Sequence, residues 1–266
     1  MAEEKILEVR NLRKEFSAGA GVLGGSRRRA VAVDGVSFDL SRGETLGIVG
    51  ESGCGKTTLA RMILRLIDPD SGEIRFRGRD WLAARGAELR GLRRGMQMVF
   101  QDPVSSLNPR MRVASIVGEP LAIHEPRLSR SARRARVAEI LEAVGLGSDA
   151  LTRFPHEFSG GQRQRIGIAR TLILRPELVI GDEPVSALDV SVGAQILELL
   201  DQLRRDFNLT FILISHSLPV VAQLASRVAV MQAGRFVEAG PAAKVLSAPE
   251  QPYTQALLAA VPQIPA

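Results

Sequence analysis

Cysteine is almost absent from this sequence, and so are long apolar segments. Cys54 is the only cysteine among 266 residues, so no disulfide can form within the chain and we expect a reducing compartment. No apolar run approaches the roughly 18 residues of a membrane-spanning helix. The first residues, Met-Ala-Glu-Glu-Lys, are acidic and polar, unlike a secretory signal. We therefore predict a soluble, cytoplasmic protein.

Lysine is also scarce, with 4 lysines against 31 arginines, and the formal net charge is +6. A basic balance permits contact with nucleic acid, anionic lipid or nucleotide. The alternative is that a GC-rich genome encodes arginine where another genome would encode lysine. Acidic residues are interspersed with the basic ones throughout the chain, which favours this alternative. Charge therefore does not decide the function, and we predict no nucleic-acid partner.

Strand-like and helix-like segments alternate along the chain, which indicates an α/β architecture. Val36, Phe38 and Leu40 alternate with polar residues, as in a half-buried strand. Short apolar runs predict further, buried strands at 46–49, 98–100, 178–180 and 211–214. The last three runs are each followed by a polar residue, at the edge where open α/β sheets bind ligands. Helical spacing of apolar residues predicts a helix that ends at 68–72, carrying Leu59, Met62, Ile63 and Leu66.

The pattern changes after Asp102. Up to about Arg170 we find no convincing strand, and an amphipathic helix is indicated by Val137, Ile140, Leu141 and Val144. We predict a helical subdomain at 102–170, inserted into a core formed by 1–101 and 171–240, with a tail at 241–266. The arginines of 127–136 are interpreted as a solvated face, with a docking patch as the alternative. Residues 18–29, rich in glycine, are interpreted as a flexible insertion in a hairpin.

The segment Gly50–Thr57 fits the phosphate-binding loop G-x-x-x-x-G-K-[ST] in full, with a strand before it and a helix after it. Its glycines let backbone N–H groups close on phosphate oxygens, and the helix N-terminus adds partial positive charge. Lys56 is expected to reach the β- and γ-phosphates of ATP, and Thr57 to hold Mg²⁺. Cys54 is interpreted as a small filler residue rather than a nucleophile or redox group. The predicted nucleotide-binding residues here are Gly50, Glu51, Ser52, Gly53, Cys54, Gly55, Lys56, Thr57 and Thr58.

Two carboxylates, Asp182 and Glu183, follow the apolar run 178–180. We expect Asp182 to hold Mg²⁺ and Glu183 to orient or deprotonate the attacking water. An Asp-Glu pair alone is a weak signal, but its place after a predicted buried strand, in a chain with a phosphate-binding loop, makes it strong.

The string Phe158-Ser159-Gly160-Gly161-Gln162 resembles the signature sequence of ABC ATPases, with Phe in place of the more usual Leu. Ser159 is a good N-cap, and a helix N-terminus with free N–H donors is a second anion site. One chain can hardly fold both anion sites onto one γ-phosphate. The resemblance therefore implies a dimer, in which ATP lies between the loop of one subunit and the signature of the other. The fold it implies is the α/β P-loop NTPase fold of an ABC-type nucleotide-binding domain with an inserted helical subdomain.

Other positions match the ABC ATPase pattern one by one. Gln101 matches the glutamine that touches Mg²⁺ and the attacking water, and Asp189 lies in the loop that contacts the opposite subunit. His216 matches the histidine that senses the γ-phosphate. Phe16 matches the aromatic residue on which adenine stacks, although a core position is the alternative.

Longer strings resemble one branch, the ATPases of oligopeptide, dipeptide and nickel importers; they are 100–111, 182–195 and 251–262. The resemblance implies a peripheral subunit at the cytoplasmic face of the plasma membrane. It implies four kinds of partner: a second ATPase subunit (identical or different), two permease subunits and an extracytoplasmic binding protein. An exporter-type ATPase is the alternative. Gly181, where an Ala-like residue is usual, and Ser217, where Asp is common, depart from the pattern without removing a catalytic group.

Overall fold

The computed structural model describes residues 4–17, 29–102 and 106–260, which divide into two compact units. One unit combines 1–84 with 212–266, and the other is 85–211. In chain order the elements are β1 (Lys5–Ser17), β2 (Arg29–Ser41), β3 (Thr45–Val49), α1 (Lys56–Ile63), β4 (Ser71–Phe76), β5 (Arg79–Asp80), α2 (Gly86–Arg94), β6 (Met96–Val99), α3 (Val113–His124), α4 (Arg130–Ala143), two 3₁₀ turns (Ser148–Thr152 and Pro155–Glu157), α5 (Gly160–Leu172), β7 (Leu178–Asp182), α6 (Val190–Asp206), β8 (Thr210–Ser215), α7 (Leu218–Leu224), β9 (Arg227–Gln232), β10 (Arg235–Pro241), α8 (Ala242–Ser247) and α9 (Pro252–Ala259).

The first unit contains an antiparallel sheet in the order β2-β1-β4-β5. Strands β1 and β2 form the predicted hairpin, with Val9 opposite Phe38 and Leu7 opposite Leu40. Val36, Phe38 and Leu40 are buried, which confirms the predicted alternation. Of the predicted insertion at 18–29, Arg29 begins β2, and residues 18–28 lie outside the described part of the chain.

A second set of strands in the first unit carries the phosphate-binding segment. Strand β3 pairs in parallel with β9, which pairs antiparallel with β10. All five residues of β3 are buried, as the apolar run predicts. Helix α7 packs so closely on β3 that a side chain at Gly47 would collide with Val221. This packing holds the strand that leads into the loop.

The second unit pairs β6 with β7 in parallel, which confirms two of the predicted strands. Between 106 and 170 the described chain forms helices and 3₁₀ turns but no strand, as predicted. Val137, Ile140 and Leu141 of α4 are buried, and so is Val144 directly after it. The division of the chain at 101/102 and 170/171 stays a prediction. Among the helices of the described segments, none combines the length and the apolarity needed to cross a membrane.

Helix α1 is shorter than its apolar spacing predicts. It ends at Ile63, and Leu66 lies beyond it, 57% exposed. Arg65 adopts a left-handed conformation with φ of 51°, and the N–H of Leu66 donates to the carbonyl of Arg61. This is the Schellman arrangement that ends helices, with arginine where glycine is usual. The prediction of a longer helix was therefore wrong, because an arginine gives no local stop signal.

The glycine of β7 is explained by its neighbour. A Cβ at Gly181 would lie 3.1 Å from Cε1 of Phe211, and both residues are buried. The methyl group of an alanine would therefore press on the phenylalanine ring, which would have to shift by a few tenths of an ångström. This close packing against Phe211 fixes the end of the strand, where Asp182 lies.

We predict that Gly181→Ala lowers the free energy of unfolding by about 1–3 kcal/mol, because the added methyl group overpacks the contact with Phe211. Phe211→Leu alone should also destabilise the protein, by about 1 kcal/mol or more, because it leaves a cavity. The double variant should lose less than the sum of the two, since each change relieves the other. Urea unfolding of the four proteins measures this, and strictly additive losses would contradict the packing argument.

Candidate nucleotide site

The loop after β3 depends on two glycines that no other residue can replace. Gly50 has a φ of 153° and Gly55 a φ of 114°. A Cβ at Gly50 would collide with the carbonyl oxygen of Met231, and one at Gly55 with that of Ala32. The absence of both side chains lets the loop lie directly against two other backbone segments.

Lys56, the first residue of α1, is 4% exposed. Its ammonium group donates hydrogen bonds to the carbonyl oxygens of Gly50, at 2.7 Å, and Glu51, at 2.8 Å. Its third contact is to Sγ of Cys54, at 3.7 Å, a weak acceptor. A phosphate oxygen is a far stronger acceptor and can take the place of this contact. No side chain caps α1, which leaves its N-terminus suited to an anion.

In the second unit, the end of β7 brings two predicted residues together. Nε2 of Gln101 donates to Oε2 of Glu183 at 3.3 Å. Glu183 has a φ of 50°, which costs of the order of 1–3 kcal/mol for a residue with a side chain. Asp182, the residue before it, is 4% exposed. The chain therefore holds the carboxylate of Glu183 in a strained turn next to an amide group.

The signature segment forms the N-terminus of α5, as predicted. Ser159 is the N-cap: its Oγ accepts from the N–H of Gln162, and the side-chain oxygen of Gln162 accepts from the N–H of Ser159. The two glycines differ in their surroundings. A Cβ at Gly161 would lie 2.5 Å from Cγ1 of Val192, whereas one at Gly160 would lie 3.5 Å from Leu188. Only Gly160 therefore has room for a side chain.

A glutamine outside the predicted set connects this helix to the carboxylate turn. Nε2 of Gln164 donates to the carbonyl of Pro184, which follows Glu183 directly, at 2.8 Å. Gln164 is 1% exposed, so the contact is shielded from water. The sequence gives no signal for it, because one more polar residue on a helix usually faces solvent.

Three further predicted residues lie on the protein surface. Asp189 is the N-cap of α6, and Val190 after it is 92% exposed, an unusual position for a valine. His216 follows β8 and is exposed. Phe16, near the end of β1, is 41% exposed, and Nζ of Lys14 lies 5.7 Å from its ring centroid. The core alternative for Phe16 is therefore wrong, and its role in adenine stacking stays a prediction.

The tail contributes a residue that is not among the predicted site residues. Tyr253, in α9, accepts a hydrogen bond on its hydroxyl oxygen from the N–H of Glu51, at 3.1 Å. Burial raises the pKa of Tyr253 and outweighs the hydrogen bond from the N–H of Glu51, which acts to lower it, so the hydroxyl stays neutral at physiological pH. The two residues are 202 positions apart, and no local pattern joins them.

The residues proposed to hold Mg²⁺ offer the ligands that this ion prefers. They supply a hydroxyl oxygen from Thr57, an amide oxygen from Gln101 and a carboxylate from Asp182, all hard oxygen donors. At nucleotide sites, phosphate oxygens and water supply the other ligands of Mg²⁺. The residues present therefore fit the ion.

Comparison with known proteins identifies the family. Residues 33–186 match the ABC transporter family. The chain is 50% identical over 261 residues to the oligopeptide transport ATP-binding protein AppF of Bacillus subtilis, covering 98% of this chain and 79% of AppF. It is 52% identical over 231 residues to OppF of Salmonella typhimurium, covering 87% and 69%. It is 49% identical over 259 residues to the glutathione import protein GsiA of Pectobacterium atrosepticum, covering 97% of this chain and 41% of GsiA.

Solved structures agree with these relatives. The dimeric ATP-binding cassette MJ0796, bound to ADP and phosphate in a post-hydrolysis state, superposes with a TM-score of 0.78 at 27% identity, covering 89% of this chain and 98% of that one. CbiO1 of Clostridium perfringens, part of the cbiONQ transporter complex, gives 0.78 at 28% identity, with 93% of each chain covered. The chain belongs to the ABC transporter family and is an ATP-binding cassette ATPase with the α/β P-loop NTPase fold.

We predict that Glu183→Gln keeps ATP affinity within about twofold and lowers hydrolysis by ~10²–10⁴-fold, because it removes a base and leaves the phosphate-binding loop unchanged. Gln101→Ala, which removes the amide partner of Glu183, should lower turnover less. Nucleotide binding and steady-state hydrolysis, measured on the same preparations, provide the test. Turnover of Glu183→Gln within a few-fold of the parent protein excludes Glu183 as the base.

Proposed function

We propose that this chain is the ATPase subunit of an ABC importer, in which ATP binding and hydrolysis drive uptake of peptides or related small solutes through separate membrane subunits. The observation that carries the proposal is the level of identity, about half of all residues over nearly the whole chain, to proteins named for oligopeptide transport and glutathione import. Generic motifs shared by all ATPases of this class do not produce identity over that length.

In the proposed mechanism, ATP binds with its phosphates against the loop Gly50–Thr58 and its adenine on Phe16. Lys56 exchanges the weak contact with Cys54 for a phosphate oxygen and keeps its two carbonyl partners. The loop amides then neutralise phosphate charge without rearrangement, which is the preorganisation that stabilises a transition state.

The attacking water is oriented by Glu183 and Gln101, whose side chains already contact each other. Thr57, Gln101 and Asp182 would hold Mg²⁺, which supplies charge neutralisation on the β- and γ-phosphates. His216 is proposed to sense the γ-phosphate. Hydrolysis releases the contact to that phosphate, and this loss of contact is the event that transport uses.

The signature residues Ser159, Gly160, Gly161 and Gln162 are proposed to bind ATP held by a second ATPase subunit. Ser159 already caps α5, so its hydroxyl lies at the N-terminus where helix amides favour an anion. Asp189 and the exposed Val190 are proposed to lie in the same dimer contact. An exposed valine next to a charged N-cap gains stability when a partner covers it.

The shared site can be tested with a mixed dimer that carries Lys56→Ala in one subunit and Gly160→Asp in the other. The surroundings of Gly160 accept a side chain, so the carboxylate introduced by Gly160→Asp should affect the bound nucleotide rather than the packing of the helix. Both lesions then fall on one site, and the other site stays whole. We expect one nucleotide per dimer to be trapped with a phosphate transition-state mimic. No trapped nucleotide in a correctly assembled dimer would overturn the shared site. If the natural partner is a different chain, the two changes are divided between the chains.

A groove in the second unit is proposed to receive a cytoplasmic helix of the permease. It has a volume of about 470 Å³ and lies along α3 and α4. Its lining is apolar at Met111 and Val137 and also carries four arginines and one glutamate; they are Arg112, Arg130, Arg133, Arg134 and Glu119. This charge suits a helix with acidic side chains. The solvated-face interpretation of 127–136 thus gives way to the docking alternative in this proposal.

The proposed importer places this subunit at the cytoplasmic face of the plasma membrane, bound to two permease subunits. An extracytoplasmic binding protein would deliver the solute to those permeases.

Leu107 lies shortly after residues 103–105, which are outside the described part of the chain. It is 2% exposed and belongs to the packed interior rather than to the groove. A charge at Leu107 would therefore test folding and not docking.

Arg134→Glu tests the groove, because Arg134 is exposed and lines it. Arg127→Glu is the matched control: Arg127 is exposed, precedes the same helix and is not among the groove residues. We expect Arg134→Glu to leave ATP hydrolysis by the isolated subunit within about twofold and to weaken assembly with the permeases at least about tenfold, through charge reversal. Arg127→Glu should change neither. Equal assembly of the two variants contradicts the groove assignment.

A further inference from the structure

We propose that Tyr253 is a positioning residue for Lys56. Through Tyr253, the C-terminal tail sets the affinity for ATP. The proposal rests on the assignment of Lys56 to the phosphates made above. It gives the tail a direct part in nucleotide binding, besides its packing in the first unit.

One peptide unit connects the two side chains. The carbonyl of Gly50 and the N–H of Glu51 belong to the same planar peptide group. Lys56 donates to the carbonyl at 2.7 Å, and the hydroxyl of Tyr253 accepts from the N–H at 3.1 Å. Hydrogen bonds at both ends of a peptide group polarise it in the same direction, so each strengthens the other. The tyrosine hydroxyl therefore acts on Lys56 through a single peptide.

This peptide needs to be held, because the residue before it is glycine. Gly50 has a φ of 153°, a conformation open to glycine and closed to residues with a side chain. Glycine also leaves the following peptide free to rotate, and rotation would turn the carbonyl away from Lys56. The bond from Glu51 to Tyr253 opposes that rotation at the N–H end. It thereby preserves the orientation in which Lys56 stands ready for a phosphate.

Tyr253 is itself held by a rigid support. The carboxylate of Glu238 in β10 accepts from the N–H of Glu250, at 2.8 Å, and from that of Gln251, at 3.2 Å. These residues lead directly into α9. Burial acts to raise the pKa of Glu238, but these and other hydrogen bonds outweigh it and hold that pKa below its ordinary value. The carboxylate is therefore ionised at physiological pH and fixes the start of the helix. Thr254, next to Tyr253, is fully buried.

The first test is Tyr253→Phe, which removes only the hydroxyl oxygen. We expect the dissociation constant and the KM for ATP to rise about two- to tenfold, the effect of one hydrogen bond, with kcat changed less than twofold. Ser247→Ala is the matched control, because its hydroxyl lies in the neighbouring tail helix α8 and donates to the carbonyl of Ala243. That control should leave both constants unchanged.

A contact that merely stabilises the tail predicts a different result. In that case Tyr253→Phe would lower the unfolding temperature and leave the ATP constants alone. Unchanged affinity in a folded Tyr253→Phe protein therefore overturns the proposal. Glu238→Gln, which loosens the support of α9, should raise the dissociation constant in the native background and add little to Tyr253→Phe, because both act through one contact.

The second test uses the fact that Tyr253 is the only tyrosine in the chain. Protein grown with tyrosine labelled with ¹³C at Cζ gives one resonance, which reports on this hydroxyl. Lys56→Ala in the nucleotide-free, full-length protein should shift that resonance, since it removes the donor at the far end of the peptide. An identical resonance in both proteins means that the two side chains are not coupled.

Failure of the inference can be told apart from failure of the site. If Lys56→Ala binds ATP as well as the parent protein, the assignment of Lys56 is wrong and the inference falls with it. If Lys56→Ala loses affinity and Tyr253→Phe does not, the site stands and the inference alone is overturned.

Discussion

The candidate site depends on the hydrogen bonds between the buried ammonium group of Lys56 and the loop around it. A buried positive charge is unfavourable unless polar groups surround it, and here the loop that begins at Gly50 supplies two of its own carbonyl oxygens. The loop can wrap so tightly only because Gly50 and Gly55 lie against the backbones of Met231 and Ala32 without side chains. Strand β9, which carries Met231, thus supports the loop that is proposed to bind phosphate.

In the second unit, side-chain hydrogen bonds hold helix α5 and the turn at Glu183 together. Gln164 in α5 bonds to the carbonyl of Pro184, and Glu183 is held in a left-handed conformation beside Gln101. That conformation persists only because its surroundings hold it. One buried hydrogen bond connects α5 to Pro184, the residue after Glu183.

Arginine outnumbers lysine by 31 to 4, and several of the arginines have structural partners in the fold. Several arginines donate to backbone carbonyls of other segments: Arg65 to Trp81 and Ala84, Arg112 to Thr152, and Arg165 to Val144. The planar guanidinium with five donors suits this task better than an ammonium. These side chains stabilise the fold, which agrees with the interpretation that charge alone does not decide the function.

The sequence alone determined the elements whose chemistry is local. The loop 50–58, the carboxylates after β7, the N-cap Ser159 and the buried strands were all predictable, because each depends on residues adjacent in the chain or on a short period. The hydrogen bond between Gln101 and Glu183 was not predicted, although both residues follow predicted strands. The family resemblance supplied the functions proposed for these residues.

The tertiary structure alone decided what depends on residues far apart in the chain. It ended α1 at Ile63, matched Gly181 to the ring of Phe211, buried Leu107 and exposed Phe16. It also brought Tyr253 to the N–H of Glu51, across 202 positions. A sequence pattern records which residues lie on one face of an element. Which distant side chain fills a space or pairs with a backbone group is set by packing, and packing has no local signal.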